Sequence, residues 1–285
     1  MNILVTGASG QLGSEIREKS TEFSQHNYFF EDSKSLDITD SEKVKEVIEE
    51  NNIEVVMNCA AYTSVDKAES EELNAENVNS LGVKNLLLAL KGKGKLIHIS
   101  TDYVFNGKSY EPYKEEHYVE PIGVYGKTKR LGEEYILNSE VESIIIRTSW
   151  VYSSFGNNFV KTMLRLGKER NELNVIFDQI GSPTYARDLA LVCLDSIDKD
   201  FSNLSKIYHY SNEGVTSWYD FAKAIMEISG VDCKIYPIET KDYPTPAKRP
   251  NYSLLNKTKI KKEFNITIPY WRDSLKDCIK KIERN

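Results

Sequence analysis

Tyr125 and Lys129 stand four residues apart in Tyr125-Gly126-Lys127-Thr128-Lys129, one turn apart on a single helix face. A free phenol has a pKa of ~10 and is a poor acid–base group at neutral pH. A nearby ammonium favours the phenolate and lowers that value, which makes tyrosine a usable proton carrier. The chain holds 17 tyrosines, so this spacing alone carries little. Two other stretches give it weight. Ser100-Thr101-Asp102 follows the apolar run Lys95–Ile99, so a hydroxyl and a carboxylate sit at the C-terminal end of an expected strand. Parallel α/β sheets bind their ligands at that end. Gly7, Gly10 and Gly13 form G-x-x-G-x-x-G directly after Ile3-Leu4-Val5. Strand, glycine turn and helix N-terminus present backbone N–H groups to a pyrophosphate. Gly7 would allow the tight turn, Gly10 the approach of the phosphates, and Gly13 the packing of helix on strand. The chemistry implied is hydride transfer from a nicotinamide dinucleotide, with Tyr125 giving a proton to the alkoxide that forms.

The elements that must hold these groups alternate along residues 1–150. Strands are expected at Ile3–Val5, Tyr28–Phe30, Ile53–Met57, Lys95–Ile99 and Ser143–Ile146. Helices are expected over Leu12–Lys19, over Ser41–Glu50 with Asp40 as its cap, and as one long helix within 66–92. Such alternation predicts an α/β fold of Rossmann type, a doubly wound parallel sheet. Beyond residue 150 the pattern is less regular, with helices expected at Asn158–Arg170, 185–198, Ser217–Ser229 and 271–283. Strands are expected there at Leu173–Phe177 and Lys206–Tyr210. The prolines of Tyr243–Pro250 exclude regular structure. Residues 1–150 therefore read as the NAD(P)-binding domain, with later segments returning to it. Residues 151–285 read as a smaller, partly interwoven substrate-binding region, with the binding crevice between the two.

At the end of the second strand, Glu31 or Asp32 is placed to accept hydrogen bonds from the adenosine ribose, which favours NADH. Ser33 and Lys34 follow at once and suit a 2′-phosphate, which favours NADPH. Both cofactors stay open at this point.

Composition narrows the partners. A net charge of −6 over 285 residues leaves no basic excess for nucleic acid. No apolar run approaches the ~20 residues that span a bilayer, and the opening MNILVTG does not read as a signal peptide. Cys59, Cys193, Cys233 and Cys278 form no C-x-x-C pair, and the histidines are as scattered. The expectation is a cytoplasmic protein without a catalytic metal.

The motifs together resemble the extended short-chain dehydrogenase/reductases and, within them, the dTDP-4-dehydrorhamnose reductases. The similarity runs through TGASGQLG (6–13), LDITD (36–40), NCAAYTSVDKAE (58–69), STDYVFNG (100–107), VYGKTKRLGE (124–133), RTSWVY (147–152), GNNFVKTML (156–164), DQIGSPT (178–184) and YPTPAKRPNYSLLN (243–256). It implies reduction of C4 of dTDP-6-deoxy-L-lyxo-4-hexulose by NADPH or NADH, giving dTDP-L-rhamnose. Thr101, Tyr125 and Lys129 fall on the family's catalytic trio. Thr101, Asp102, Trp150 and Arg249 fall on its substrate side. Gly10, Gln11 and Leu12 match the phosphate turn, Asp37 and Ile38 an adenine contact, and Ala60, Ala61 and Tyr62 the loop under the cofactor. Thr101 would bond the C4 oxygen, and Trp150 would offer a flat wall to a 6-deoxy sugar. The resemblance allows a monomer or a homodimer, and some members dimerise through Mg²⁺. Glu15 fits one position of such a metal site, but Arg187 stands at another, where a cation opposes a metal. Two alternatives share these residues: a reductase or epimerase of another nucleotide 4-keto sugar, and a non-catalytic NAD(P)-binding subunit.

Overall fold

In a computed structural model describing residues 1–92, 94–203 and 206–284, five strands of the N-terminal half pair in parallel. They are β1 (Asn2–Thr6), β2 (Asn27–Glu31), β3 (Val55–Asn58), β4 (Lys95–Thr101) and β5 (Glu142–Thr148). Their spatial order is β2-β1-β3-β4-β5, and Ile207–His209 adds a sixth strand beside β5. The chain reverses its direction of winding between β1 and β3, which opens a crevice at their C-terminal ends.

Side chains alternate across the strands, and each face is apolar, as a sheet covered on both sides requires. Ile3, Val5, Val55, Met57, Ile97, Ile144 and Ile146 face one side, and Leu4, Val56, Leu96 and Ile145 the other. The helices are α1 (Gln11–Lys19), α2 (Ser41–Glu50), α3 (Val65–Ala68), α4 (Glu72–Glu76), α5 (Gly82–Leu90), α6 (Val124–Leu137), α7 (Phe159–Glu169) and α8 (Ala186–Asp195), followed by Trp218–Ser229, Thr258–Phe264 and Trp271–Arg284. Leu12 and Ile16 of α1 and Leu189, Ala190 and Cys193 of α8 cover the first face. Val44 and Ile48 of α2, Val83, Leu86 and Leu90 of α5, and Ile136 of α6 cover the second. A separate apolar cluster joins α7, Trp218–Ser229 and Trp271–Arg284. It also buries Leu173 and Val175 of Glu172–Ile176, which pairs in parallel with Lys234–Ile238. Pro237 is tolerated in that last strand because a two-stranded ribbon has only edges.

The helix expected within 66–92 is broken. It divides into α3, α4, a π turn at Asn77–Leu81 and α5. The chain leaves the helix only at 69–71, and from Glu72 to Leu90 it stays helical through the π turn, which holds Asn79. Its Oδ1 accepts from the Tyr62 N–H at 2.8 Å, and its Nδ2 donates to the Tyr62 carbonyl at 3.2 Å and to Thr128 Oγ1 at 3.1 Å. One asparagine thus ties the loop after β3 to α6, and regular helical periodicity gives way to that bond. Elsewhere side-chain caps start helices. Asp40 accepts from the Lys43 N–H at 3.0 Å and starts α2, and Ser217 and Asp220 form a capping box. Among the described residues no helix is long and apolar enough to cross a membrane.

α6 is fastened to the sheet by Glu133, which is 0% exposed. Its Oε1 accepts from Ser100 Oγ on β4 at 2.7 Å and from Arg147 Nε on β5 at 2.8 Å. Its Oε2 accepts from Arg147 Nη2 at 2.7 Å and from Arg130 Nη1 at 3.1 Å. Removing one partner of such a pair leaves the other charge buried and unpaired. Glu133→Ala is therefore expected to lose about 3–5 kcal/mol of unfolding free energy in urea titration. A loss below about 1 kcal/mol would show that the pair does not anchor the helix.

Candidate active site

The glycine turn leaves β1 at Gly7, whose φ is +64°. A Cβ there would lie 2.7 Å from the Ala60 nitrogen and the Cys59 carbonyl carbon, so only glycine lets this turn press against the loop after β3. At Gly13 a Cβ would meet the Gly7 carbonyl at 2.4 Å, so the first turn of α1 packs directly on the β1 turn. Gly10 caps α1 in an extended conformation without a side-chain cap bond. The first N–H groups of α1 have no partner within the helix and are available to an anion.

This turn forms one wall of a cleft of about 720 Å³. Gly7, Gly10, Gln11, Leu12, Gly13, Asp37, Ile38, Ala60, Ala61, Tyr62, Thr101, Asp102, Tyr125, Lys129 and Trp150 all line it. Residues scattered over the first 150 positions thus share one surface. Glu31 and Arg249 do not line it. Glu31 pairs with Thr6 in the sheet, and its carbonyl accepts the Ala8 N–H at 3.0 Å. Asp32 does not line it either, and its Oδ1 closes a turn by accepting from the Lys34 N–H at 2.9 Å. Ser33 is the residue of this stretch that lines the cleft. Arg249 makes a bidentate pair with Asp66, at 3.0 and 2.8 Å, which commits its guanidinium to the turn at α3.

At the far end of the cleft Thr101, Asp102, Tyr125 and Lys129 converge. Thr101 Oγ1 donates to Asp102 Oδ1 at 3.0 Å and accepts from the Tyr103 N–H at 3.1 Å. Asp102 Oδ2 is buried without a well-formed hydrogen bond. Burial pushes the Asp102 carboxyl up to about 6, a rise that Ser253 and Thr101 partly offset. Burial likewise pushes the Tyr125 phenol up to about 12, against a smaller lowering from Thr101. The lowering expected from Lys129 is not seen at the phenol. The lysine is itself buried and spends its bonds on the Ile99 carbonyl at 2.7 Å and on His98 Nε2 at 3.2 Å. Burial pulls its ammonium down to about 8. Each shift favours the neutral form, as expected where water is excluded.

Trp150 occupies the left-handed region, with φ +50°, an uncommon conformation for a large side chain. It stacks on Trp218 with centroids 3.7 Å apart and an interplanar angle of 11°. Trp218 carried no signal in the sequence beyond being one of three tryptophans. Asn79, His98 and Glu133 were also missed. His98 lies among the apolar residues of a strand, where a lone histidine reads as core. Glu133 stands one helical turn after Lys129, a spacing that places it under the same face.

Glu15 is buried and fully spent. Its Oε1 accepts from Ser153 Oγ at 2.6 Å, and its Oε2 faces Arg187 Nη1 at 3.2 Å and Lys281 Nζ at 3.1 Å. Two cations from the chain already neutralise this carboxylate and Glu18 beside it. A Mg²⁺ ion does not fit this donor set, and the described residues form no acidic or histidine cluster that would hold one elsewhere.

The sequence matches the RmlD substrate binding domain family over residues 1–284. The chain belongs to this family. It is 43% identical to the spore coat polysaccharide biosynthesis protein SpsK of Bacillus subtilis, over 97% of this chain and 96% of that one. It is 42% identical to the dTDP-4-dehydrorhamnose reductase of Aggregatibacter actinomycetemcomitans, over 96% and 97%. The solved structure of a dTDP-4-dehydrorhamnose reductase from Clostridium acetobutylicum superposes with a TM-score of 0.95 at 41% identity, covering 99% of this chain and 100% of that one. That of the Bacillus anthracis reductase in complex with NADP gives 0.92 at 38% identity, covering 98% and 99%. The unspent N-terminus of α1 and the glycine approach to Ala60 fit a dinucleotide in this RmlD-family cleft.

Asp102 offers a direct check on the electrostatics of this RmlD-family site. Its folded pKa lies above the unfolded value, so the folded state binds more protons between about pH 4 and 6. That group's contribution to stability therefore falls as pH rises through this window and stays unfavourable above it. Asp102→Asn is expected to gain stability over the parent at pH 7 by the order of 2–3 kcal/mol, and to lose that advantage at pH 4. Thermal unfolding midpoints of both proteins at the two pH values measure it. An equal difference at both would mean that burial does not raise the Asp102 carboxyl.

Proposed function

We propose that the chain is a dTDP-4-dehydrorhamnose reductase. It reduces the C4 ketone of dTDP-6-deoxy-L-lyxo-4-hexulose with NADPH or NADH and yields dTDP-L-rhamnose. The observation that carries this reading is the single cleft that joins the glycine turn of α1 to Thr101, Tyr125 and Lys129, in a chain with near full-length relatives of that name. When bound, the dinucleotide supplies the hydride. The chain's own residues do the rest. The N-terminus of α1, with Gly10, Gln11 and Leu12, holds the pyrophosphate by backbone N–H groups and the helix dipole. Asp37, Ile38 and the loop Ala60-Ala61-Tyr62 hold the adenosine and ribose side, and Asn79 keeps that loop in place.

Thr101 bonds the C4 oxygen and stabilises the negative charge that develops there. Tyr125 gives its proton to the same oxygen. A phenol pushed up to about 12 stays protonated until the alkoxide forms, which suits a donor in the direction of reduction. Lys129 restores that proton. Trp150, braced by Trp218, covers the apolar 6-deoxy face of the sugar. Asp102 accepts from a sugar hydroxyl through its unused oxygen. Residues 1–150 serve mainly the dinucleotide and 151–285 mainly the sugar nucleotide, although α8 and Ile207–His209 pack on the sheet of the first part. Arg249 would face the nucleotide only after leaving Asp66. We place the enzyme in the cytoplasm, acting as a monomer or a homodimer.

Incubation with dTDP-4-keto-6-deoxyglucose, the matching 3,5-epimerase and NADPH or NADH, followed by nicotinamide absorbance, tests the reading. Tyr125→Phe is expected to lose ~10²-fold or more in kcat, about 2–3 kcal/mol of transition-state stabilisation. No cofactor oxidation in the complete mixture, or faster reduction of another nucleotide 4-keto sugar, would replace the assigned substrate.

A further inference from the structure

Lys129 has an unusual neighbour. His98 is 0% exposed and lies with its Nε2 3.2 Å from the lysine Nζ, while its Nδ1 lies 3.0 Å from Asn58 Nδ2. The hydrogen positions in this chain of contacts follow from the donors around Asn58. The Ala60 backbone N–H points to Asn58 Oδ1 at 3.2 Å, and Thr6 Oγ1 donates to the same atom at 2.7 Å. The Ala60 N–H also reaches Thr6 Oγ1, at the longer 3.4 Å, but two donors converge on the one carboxamide atom, which assigns the oxygen to this side and the NH₂ to His98. His98 Nδ1 is then an acceptor. An N–H at that position, in the other tautomer or in imidazolium, would point at another N–H. The hydrogen of the neutral ring is therefore on Nε2, aimed at Lys129. An ammonium has three donors and no lone pair, so it cannot receive that hydrogen. A free amine can, while giving one of its own hydrogens to the Ile99 carbonyl at 2.7 Å.

We infer that Asn58 and His98 are positioning residues that hold the free-amine form of Lys129 by directing the His98 Nε2–H at its lone pair. This rests on the proposed reductase reading for its use in catalysis, though not for the tautomer itself. In reduction Tyr125 loses a proton to the C4 oxygen and becomes phenolate. The proton that restores the phenol comes from the Lys129 ammonium, whose N–H bond breaks as the tyrosine O–H bond forms. The nitrogen keeps the electron pair, and that pair is what Nε2–H receives. Asn58 and His98 thus lower the cost of the state in which Lys129 has discharged.

The other titratable groups around the lysine do not serve this purpose. Cys59, in the loop after β3, is pushed up to about 12 by burial and stays a neutral thiol. Glu133, one turn along α6 and paired with Arg147 at 2.7 Å, favours the ammonium and so acts against the histidine. Tyr125, one turn back, is the partner in the exchange. Burial of the lysine acts in the same direction as the histidine.

The tautomer is read first, on the unmodified protein without substrate, by nitrogen NMR of ¹⁵N-histidine-labelled enzyme between pH 6 and 9. A buried neutral ring with its proton on Nε2 throughout is the expected result. A ring with its proton on Nδ1, or one that charges in this range, overturns the inference whatever the enzyme reduces. The pH profile of kcat then tests the consequence. Asn58→Asp offers Nδ1 a carboxylate, which moves the ring proton to Nδ1 and turns a lone pair towards Lys129. It is expected to raise the alkaline limb by about one pH unit or more and to cut kcat by roughly tenfold, with little change in KM for the sugar nucleotide. His98→Phe, which removes the donor, shifts the limb the same way. His98→Gln, which can offer an N–H, restores most of the parent rate and limb. A His98→Phe enzyme with the parent's kcat and limb overturns the catalytic use. An unmodified protein with the Nε2–H tautomer but no activity on any nucleotide 4-keto sugar would overturn the reductase reading instead.

Discussion

The ion pair between Glu133 and Arg147 is the constraint on which the cleft depends. Both side chains are withdrawn from water, at 0% and 1% exposure. Burial alone would raise the Glu133 carboxyl, but bonds from Arg147, Ser100 and Arg130 outweigh it and hold the group below the usual carboxylate range. The pair contributes little net stability over an apolar replacement, because desolvating two charges offsets most of their attraction. Its value is geometric. Ser100 precedes Thr101 on β4, Arg147 lies on β5, and Glu133 lies on the same helix as Tyr125 and Lys129. A bidentate guanidinium tolerates little error in angle or distance. The axial position of α6 over β4 is therefore set by this contact, and with it the relation of Tyr125 to Thr101.

Other fastenings reach the same helix from its other sides. Glu69 Oε1 accepts from the Val124 N–H at 2.9 Å, which satisfies a free donor at the start of α6. Asn79 ties Thr128 to the loop at Tyr62. Lys129 reaches through to the Ile99 carbonyl of β4. The helix that carries Tyr125 and Lys129 is thus held by polar contacts at successive turns. Hydrophobic packing against Val83, Leu86 and Ile145 holds it down but would allow it to slide or rotate. The directed hydrogen bonds remove that freedom.

The cleft also gathers groups in costly states. Asp102 holds a buried carboxylate oxygen without a full partner, Trp150 sits at positive φ, and Lys129 is buried beside a half-buried Tyr125. The first two each cost folding free energy of the order of 1–3 kcal/mol. They persist because rigid neighbours surround them. Trp218 braces Trp150, the strand ends fix Thr101 and Asp102, and the Glu133 network fixes α6.

Much of this was legible in the linear chain. Ile3–Val5, Lys95–Ile99 and Ser143–Ile146 are short apolar runs that could only be buried strands, and their alternation with helices implies a parallel sheet. The glycine turn was legible because pyrophosphate binding demands particular residues at close spacing. Tyr125 and Lys129 were legible because helical spacing puts them on one face. What distance along the chain hid was partnership. Glu31 looked correct by position at the end of β2, yet Asp32 closes the turn beyond it and Ser33 takes its place on the cleft. Arg249 carried a matching motif, and the fold pairs it with Asp66. The π turn at Asn77–Leu81 was invisible because the partner of Asn79, the Tyr62 backbone, arrives from another element. Residue type, spacing and strand order therefore determined the sheet, the glycine turn and the placing of Tyr125 and Lys129 on one helix face. Only the tertiary structure decided which buried groups meet, hence which proton each one carries, since hydrogen bonds and desolvation depend on neighbours that the chain brings together by folding.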